Sequence, residues 1–168
     1  MRLSGDFFGR DVLVVAPELI GKKLFRNKNG ATTGYSIVEV EAYRGEEDKA
    51  SHARFGKTSR NGIMYAPGGL VYVYLIYGMH WMLNIVTGPG EQPQALLIRG
   101  LKGFEGPGRL TRALEIDRSF YGEDLALSSR IWIETGEENP AITQSSRIGI
   151  DYAGEPWKSM AWRYRLGG

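Results

Sequence analysis

At 168 residues, with a formal net charge of +2, the chain has the size of one domain able to bury roughly two thirds of its unfolded surface. Its apolar and charged fractions (42% and 24%) exclude extended disorder, and the absence of cysteine excludes disulfides, thiolate nucleophiles and Cys-ligated zinc. Near-neutral charge leaves any polyanion binding to local clusters of cations, and strand-sized apolar runs point to a soluble, intracellular protein with no membrane partner.

Asp11 can cap a helix over residues 12–20 and Gly21 can end it, but Pro17 lies inside, so the helix either begins near Pro17 or bends there. Residues 22–26, the turn Asn27-Lys28-Asn29-Gly30 and residues 32–43 read as a hairpin. In its return strand Val38, Val40 and Ala42 alternate with Glu39, Glu41 and Tyr43, giving one apolar face and one carrying two carboxylates and a ring. Residues 45–54 are polar, with a short helix expected around 48–51, and residues 56–69 form a loop holding Lys57 and Arg60.

The rest of the chain is organised around residues 70–86, where two β-branched and aromatic runs flank Tyr77-Gly78 and read as a hairpin bent at the glycine. Val71, Val73 and Leu75 share one face, and Tyr72, Tyr74 and Ile76 the other. A tyrosine beside the turn glycine is either a stiff wedge offered to another molecule or a ring folded back on its own domain. Residues 94–99 read as a strand, and Gly106-Pro107-Gly108 starts a helix through about residue 115 with Pro107 at its first position. Strands are expected at 130–134, 146–150 and 160–166. The whole is read as α+β: a single domain over 1–168, a curved, mostly antiparallel, open-barrel-like sheet with short helices around it and a protruding β-hairpin.

Several residues could carry chemistry. Glu39 and Glu41 at i, i+2 are either a solvated strand face or a base with its tuning partner at a cleft. Glu46, Glu47, Asp48 and His52 lack any metal-site spacing, no serine sits in a nucleophile elbow, and the glycines of 100–108 lack the Lys-Ser/Thr of a phosphate loop. No metal or cofactor is expected. Lys57, Arg60, Arg99, Lys102, Arg109 and Arg112, set around the tyrosine hairpin, suit a nucleic-acid surface on which cations hold phosphates and rings stack on bases.

The segments Val38-Glu39-Val40-Glu41-Ala42-Tyr43, Asp48-Lys49-Ala50-Ser51-His52, Arg60-Asn61-Gly62 and Tyr72-Val73-Tyr74-Leu75-Ile76-Tyr77-Gly78-Met79, with Asn84 beyond, resemble the alkyladenine (3-methyladenine) DNA glycosylase family. The likeness continues through Leu96-Leu97-Ile98-Arg99, Gly106-Pro107-Gly108-Arg109-Leu110 and Ser146-Arg147-Ile148-Gly149-Ile150, in order and over nearly the whole chain. The resemblance implies an enzyme that flips alkylated or deaminated purines out of duplex DNA and hydrolyses their glycosidic bond. It implies Glu41 as the carboxylate that readies the attacking water, with Arg99 and the backbone carbonyl of Ile148 around that water. Tyr43, His52 and Tyr74 match the residues that sandwich the base, Asn84 a pocket-floor residue that disfavours guanine, and Tyr77 the wedge. Met79, His80 and Arg109 sit where the family contacts DNA, and Arg60 joins them as a cation beside the hairpin.

Damaged duplex DNA is then the expected partner, a monomer the expected state, and the cytoplasm or nucleoid (the nucleus in a eukaryote) the expected location. The chain departs from the family in a shorter loop after His52, in Pro17, and in ending soon after Leu166. A non-catalytic nucleic-acid-binding module using the same hairpin is the rival reading, and a hydrolase of free nucleosides a third.

Overall fold

A computed structural model of the chain describes residues 1–167. In chain order the elements are α1 (Gly5–Phe8), α2 (Val12–Leu19), β1 (Lys23–Lys28), β2 (Ala31–Arg44), β3 (Val71–Ile76), β4 (His80–Val86), β5 (Gln94–Leu101), β6 (Phe104–Glu105), α3 (Pro107–Ala113), β7 (Ile131–Glu134), β8 (Ile142–Ser145) and β9 (Arg163–Leu166). Every strand joins one antiparallel sheet whose main path runs β3-β4-β5-β2-β1-β7, with β6 beside β5, and β9 linking β8 to β2. The α+β architecture expected from the sequence, a curved antiparallel sheet with short helices around it, is present. Among the described residues no helix is long and apolar enough to cross a membrane.

The helices cover one face of the sheet. Val12, Val15, Ala16 and Leu19 recur at helical spacing and all are buried against β2 and β5. Asp11 caps α2 by accepting from the Leu13 N–H at 2.9 Å. The helix runs unbroken through Pro17. A proline inside a helix costs roughly 3 kcal/mol, and burial of each Val or Leu on the packed face returns about 1.5–3, so tertiary packing overrides the local break.

The turn between β1 and β2 uses Asn29 (φ 52°) and Gly30 (φ 86°), the positive-φ pair a tight hairpin requires. Farther along β2 the pairing with β5 slips at Ile37/Glu39 and Glu39/Val40. Ile37, Val40 and Ala42 are all buried in the same core. Strict alternation from Ile37 would have sent Glu39, Glu41 and Tyr43 into that core; the bulge turns them to the opposite side.

β3 is the outer strand of the sheet, and β4 pairs with β5 only at Asn84, Ile85 and Val86. Beyond those residues the β3–β4 ribbon overhangs the sheet. It is propped by α3, where the Thr111 hydroxyl donates to the Trp81 carbonyl at 2.7 Å. Val71 and Val73 point into the main core, whereas Tyr72 joins a second cluster with Ala53, Met64, Tyr65, Val86 and Ala95 on the other face.

Three expected elements differ. Residues 48–51 form turns rather than a helix, because the Asp48 carboxylate accepts from the Arg44 and Ala50 N–H groups and folds the chain around itself. Residues 146–150 are not a strand: Gly149 takes φ +73° and Arg147 is drawn into the interior, so β8 ends at Ser145. The helix after Gly106 stops at Ala113, and Glu115 already has φ +53°.

The loop entering β3 passes so close to α1 that a Cβ on Gly68 would lie 2.2 Å from the Phe8 carbonyl oxygen. Gly68→Ala is expected to destabilise the fold by about 1–3 kcal/mol, the range for overpacking, measurable by denaturant unfolding; an unchanged midpoint would show that the two loops separate freely.

Candidate active site

The sheet face opposite the helices opens into a cavity of about 750 Å³, within the range of small-molecule sites. Its floor comes from β2, β4 and β5, one wall from β3, and the other from the segments around residues 50–52 and 148–152. The bulge in β2 is what brings Glu41 and Tyr43 to it.

Glu41 is fully buried. Its Oε2 accepts from the Ile148 N–H at 2.7 Å and its Oε1 from the Tyr43 hydroxyl at 3.1 Å, with Arg99 Nη1 at 3.7 Å. Burial raises its pKa; Arg99, the Ile148 N–H and Tyr43 pull it back, and Glu39 pushes it up. The result is a desolvated carboxylate with a basic lean, held in one orientation by two donors. Glu39 is not solvated either: its Oε2 accepts from Arg163 at 2.6 Å and from Arg99 at 3.3 Å. The solvated-face reading therefore fails for both acids, because the Arg99 and Arg163 side chains and the 148 segment cover them. Arg99, expected among the surface cations, is mostly buried between Glu39 and Glu41 and orients rather than offering itself to solvent.

The rings form a cage. His52 and Tyr74 have centroids 4.2 Å apart, and His52 Nδ1 shares a 3.1 Å hydrogen bond with the Tyr72 hydroxyl. Arg60 lies 5.3 Å from the Tyr74 ring and donates to the Leu75 carbonyl on the outer edge of β3. Tyr43 stands apart from this pair, with the Arg147 guanidinium 4.9 Å from its ring centre. Asn84 is buried on the floor, its amide nitrogen donating to the Met82 carbonyl at 3.3 Å.

Burial, then Arg60 and Arg54, lower the His52 pKa from 6.5 to about 4. The unfolded chain therefore takes up this proton first as acid is added. The neutral ring contributes stability above pH 6.5 that is lost as pH falls toward about 4, up to about 3 kcal/mol. An NMR titration should find the imidazole uncharged at about pH 5, and His52→Gln should flatten the acid side of the stability curve; a midpoint near the free-histidine value would remove the effect.

At the cavity mouth Tyr77 is 86% exposed with φ +54°, and Gly78 follows at φ +63°; the Met79 N–H closes the turn on the Ile76 carbonyl at 3.0 Å. The ring does not fold back onto the domain. His80 and Arg109 also reach the mouth, where Gly108 passes so close that a Cβ there would lie 3.0 Å from the His80 ring.

Comparison with known proteins fits this arrangement. The family model for methylpurine-DNA glycosylase matches residues 6–105 and 102–168. The chain belongs to that family. It is 43% identical over 176 residues to a protein of Anaeromyxobacter sp. (strain Fw109-5), covering 100% of this chain and 90% of the relative. It is 41% identical over 193 residues to one of Desulfitobacterium hafniense (98% and 95%) and 40% identical over 180 residues to one of Methanocella arvoryzae (93% and 90%). All three relatives carry the provisional name 3-methyladenine DNA glycosylase. Family and fold together give the chain a DNA-glycosylase type of function.

Of the residues that the family resemblance or the hairpin's cations assign to the site, Glu41, Tyr43, His52, Arg60, Tyr74, Tyr77, His80, Asn84, Arg99, Arg109 and Ile148 line the cavity; Met79 is exposed on the turn beside it, and Glu39, Lys57, Lys102 and Arg112 lie outside the lining. Ile148 contributes its N–H to Glu41, where its carbonyl had been expected to matter. Sequence reasoning missed Tyr152, which lines the wall and donates to the Ala50 carbonyl at 2.7 Å, and Tyr72, the partner of His52. Tyr72 was legible in principle, since it alternates onto the face of Tyr74; nothing local distinguishes Tyr152.

Proposed function

We propose that the protein is a monofunctional DNA repair glycosylase. It turns alkylated or deaminated purines out of duplex DNA and hydrolyses the N-glycosidic bond with water, leaving an abasic site. The observation that carries this reading is a fully buried carboxylate, Glu41, beside a ring-lined cavity whose mouth holds an outward-pointing tyrosine.

The chemistry explains the residue types. Alkylation makes a purine cationic and weakens its sugar bond, so the site needs flat, electron-rich faces more than a strong acid; Tyr43, Tyr74 and neutral His52 supply them. As the bond breaks, the sugar gains oxocarbenium character. The charged Glu41 carboxylate stabilises that cation and takes a proton from the attacking water, becoming neutral as the sugar–oxygen bond forms and the purine leaves. Burial raises its proton affinity, and Arg99, the Ile148 N–H and the Tyr43 hydroxyl oppose that rise by favouring the charged form. Tyr77 fills the gap left by the base, offsetting the few kcal/mol of unstacking, and Arg60, Met79, His80 and Arg109 face the DNA around it.

The test is a duplex carrying one ethenoadenine, hypoxanthine or methylated purine, incubated with the protein and cleaved with alkali. Strand breaks at the lesion are expected, with no covalent adduct trapped by borohydride. A trapped adduct would replace water by an enzyme amine, and intact duplex with all three lesions would leave only binding. A module that merely binds has no use for a desolvated glutamate facing its cavity, which favours the enzyme.

A further inference from the structure

Two segments distant in sequence form the cavity wall opposite β3: residues 45–52, which carry His52, and residues 146–152, which carry the Ile148 N–H. They are joined by one buried ion pair. Arg147 is 4% exposed and donates to both Asp48 carboxylate oxygens (2.7 and 3.0 Å), to the Ala42 carbonyl (3.0 Å) and to the Trp157 carbonyl (3.3 Å). Its guanidinium lies 4.9 Å from the Tyr43 ring and 4.9 Å from the Trp162 ring, and it does not reach the cavity. Asp48, itself fully buried, spends its other lone pairs on the Arg44 and Ala50 N–H groups. A second strap, from the Tyr152 hydroxyl to the Ala50 carbonyl, joins the same segments at the rim.

These contacts converge on one point. The residue after Arg147 donates its backbone N–H to Glu41, and the ring beside its guanidinium carries the hydroxyl that is the other donor to Glu41. A planar five-donor group is the side chain suited to hold two carboxylate oxygens and two carbonyls at once; lysine, a point charge, cannot. We propose that the Asp48–Arg147 pair is a positioning device for the reaction. It fixes residues 146–152 so that the Ile148 N–H and the Tyr43 hydroxyl meet Glu41 in one geometry, without either charge touching substrate. This inference rests on the glycosylase reading and on Glu41 as its base.

The readout is the protonation of Glu41 rather than stability alone. The groups around that carboxylate are Tyr43 and Glu39 from β2, Arg99 from β5, Tyr74 from β3, and the Ile148 N–H and Tyr152 from the 146–152 segment; Arg163 on β9 acts on Glu39. Loss of the Ile148 donor removes one of the interactions that favour the charged form, so the acid limb of the rate profile moves to higher pH.

The experiment is single-turnover excision against pH, at saturating enzyme, on a duplex carrying an N-methylated purine that is already cationic, so that the leaving group adds no limb of its own. For Arg147→Lys the rate should fall about 10- to 100-fold, as expected of a displaced catalytic group, with the acid limb shifted upward and duplex Kd within about threefold of wild type. Tyr152→Phe, which loosens only the rim strap, should show a smaller loss of the same kind, and decides the matter if Arg147→Lys does not fold. A purely structural role predicts a lower melting temperature with an unmoved acid limb in the folded fraction, and that result overturns the proposal while leaving the glycosylase reading intact. A wild type that releases no base overturns both.

Discussion

Glu41→Gln is expected to reduce excision by at least about 10³-fold, combining the roughly 10²–10⁴ of a general base with the loss of a preorganised charge, while the variant still binds a lesion duplex. The amide is nearly isosteric and its oxygen can still accept from the Ile148 N–H, so the packing around β2 survives. What disappears is the ability to take a proton from water and to face the developing cation with a negative charge. Relief of a buried charge near Glu39 can even raise thermal stability, since burial is the first cause of the raised pKa of Glu41. The measurement is single-turnover release of the base, paired with a binding titration on the same duplex. Retained turnover would take Glu41 out of the role and move attention to the sugar-facing side of the cavity; lost binding would mean that the carboxylate holds structure instead.

Tyr77 yields the second large effect, and of opposite sign in two assays. An aromatic residue in the left-handed region is strained by about 1–2 kcal/mol, and 86% of this ring lies in solvent, where it packs on nothing to offset that. Tyr77→Asn creates Asn-Gly, the pair this turn prefers, so the free protein should melt at the same temperature or higher. Lesion excision under subsaturating conditions should nevertheless fall about 10- to 100-fold, since an unfilled gap in the stack costs a few kcal/mol. Tyr77→Ala should lose as much activity without the gain in stability. A fluorescent base analogue beside the lesion reports the unstacking directly. Unchanged flipping in both variants would leave the strained ring without a task.

Much of this was written into local pattern. The β3–β4 hairpin, the Asn29-Gly30 turn and the Pro107 helix start each follow from residues within a few positions of one another, and the structure has all three. The ordered run of segments from Val38 to Ile150 singled out candidate site residues, and all of those but Met79 line one cavity. Failures occurred where a residue's setting depends on distant chain. Glu39 and Glu41 look like a wet strand face until Arg163 and the Ile148 segment, more than a hundred residues away, close over them. Ser146-Arg147-Ile148-Gly149-Ile150 alternates like a strand, yet Arg147 satisfies Asp48 across ninety-nine positions instead of pairing with a neighbour strand. Pro17 reads as a break because the buried face that outweighs it belongs to the sheet.

The overhanging ribbon has a mechanical consequence. Because β4 joins β5 only from Asn84 onward, and the Thr111 hydroxyl meets the unpaired stretch at Trp81, the projecting arm is a beam fixed at one end with a strut below it. A load at the tip flexes two strands and with them the β3 wall that carries Tyr74, while Glu41 and Arg99, on β2 and β5 behind the fixed end, keep their spacing. On the proposed glycosylase reading, the arm can test sound base pairs while the spacing of Glu41 and Arg99 is left undisturbed.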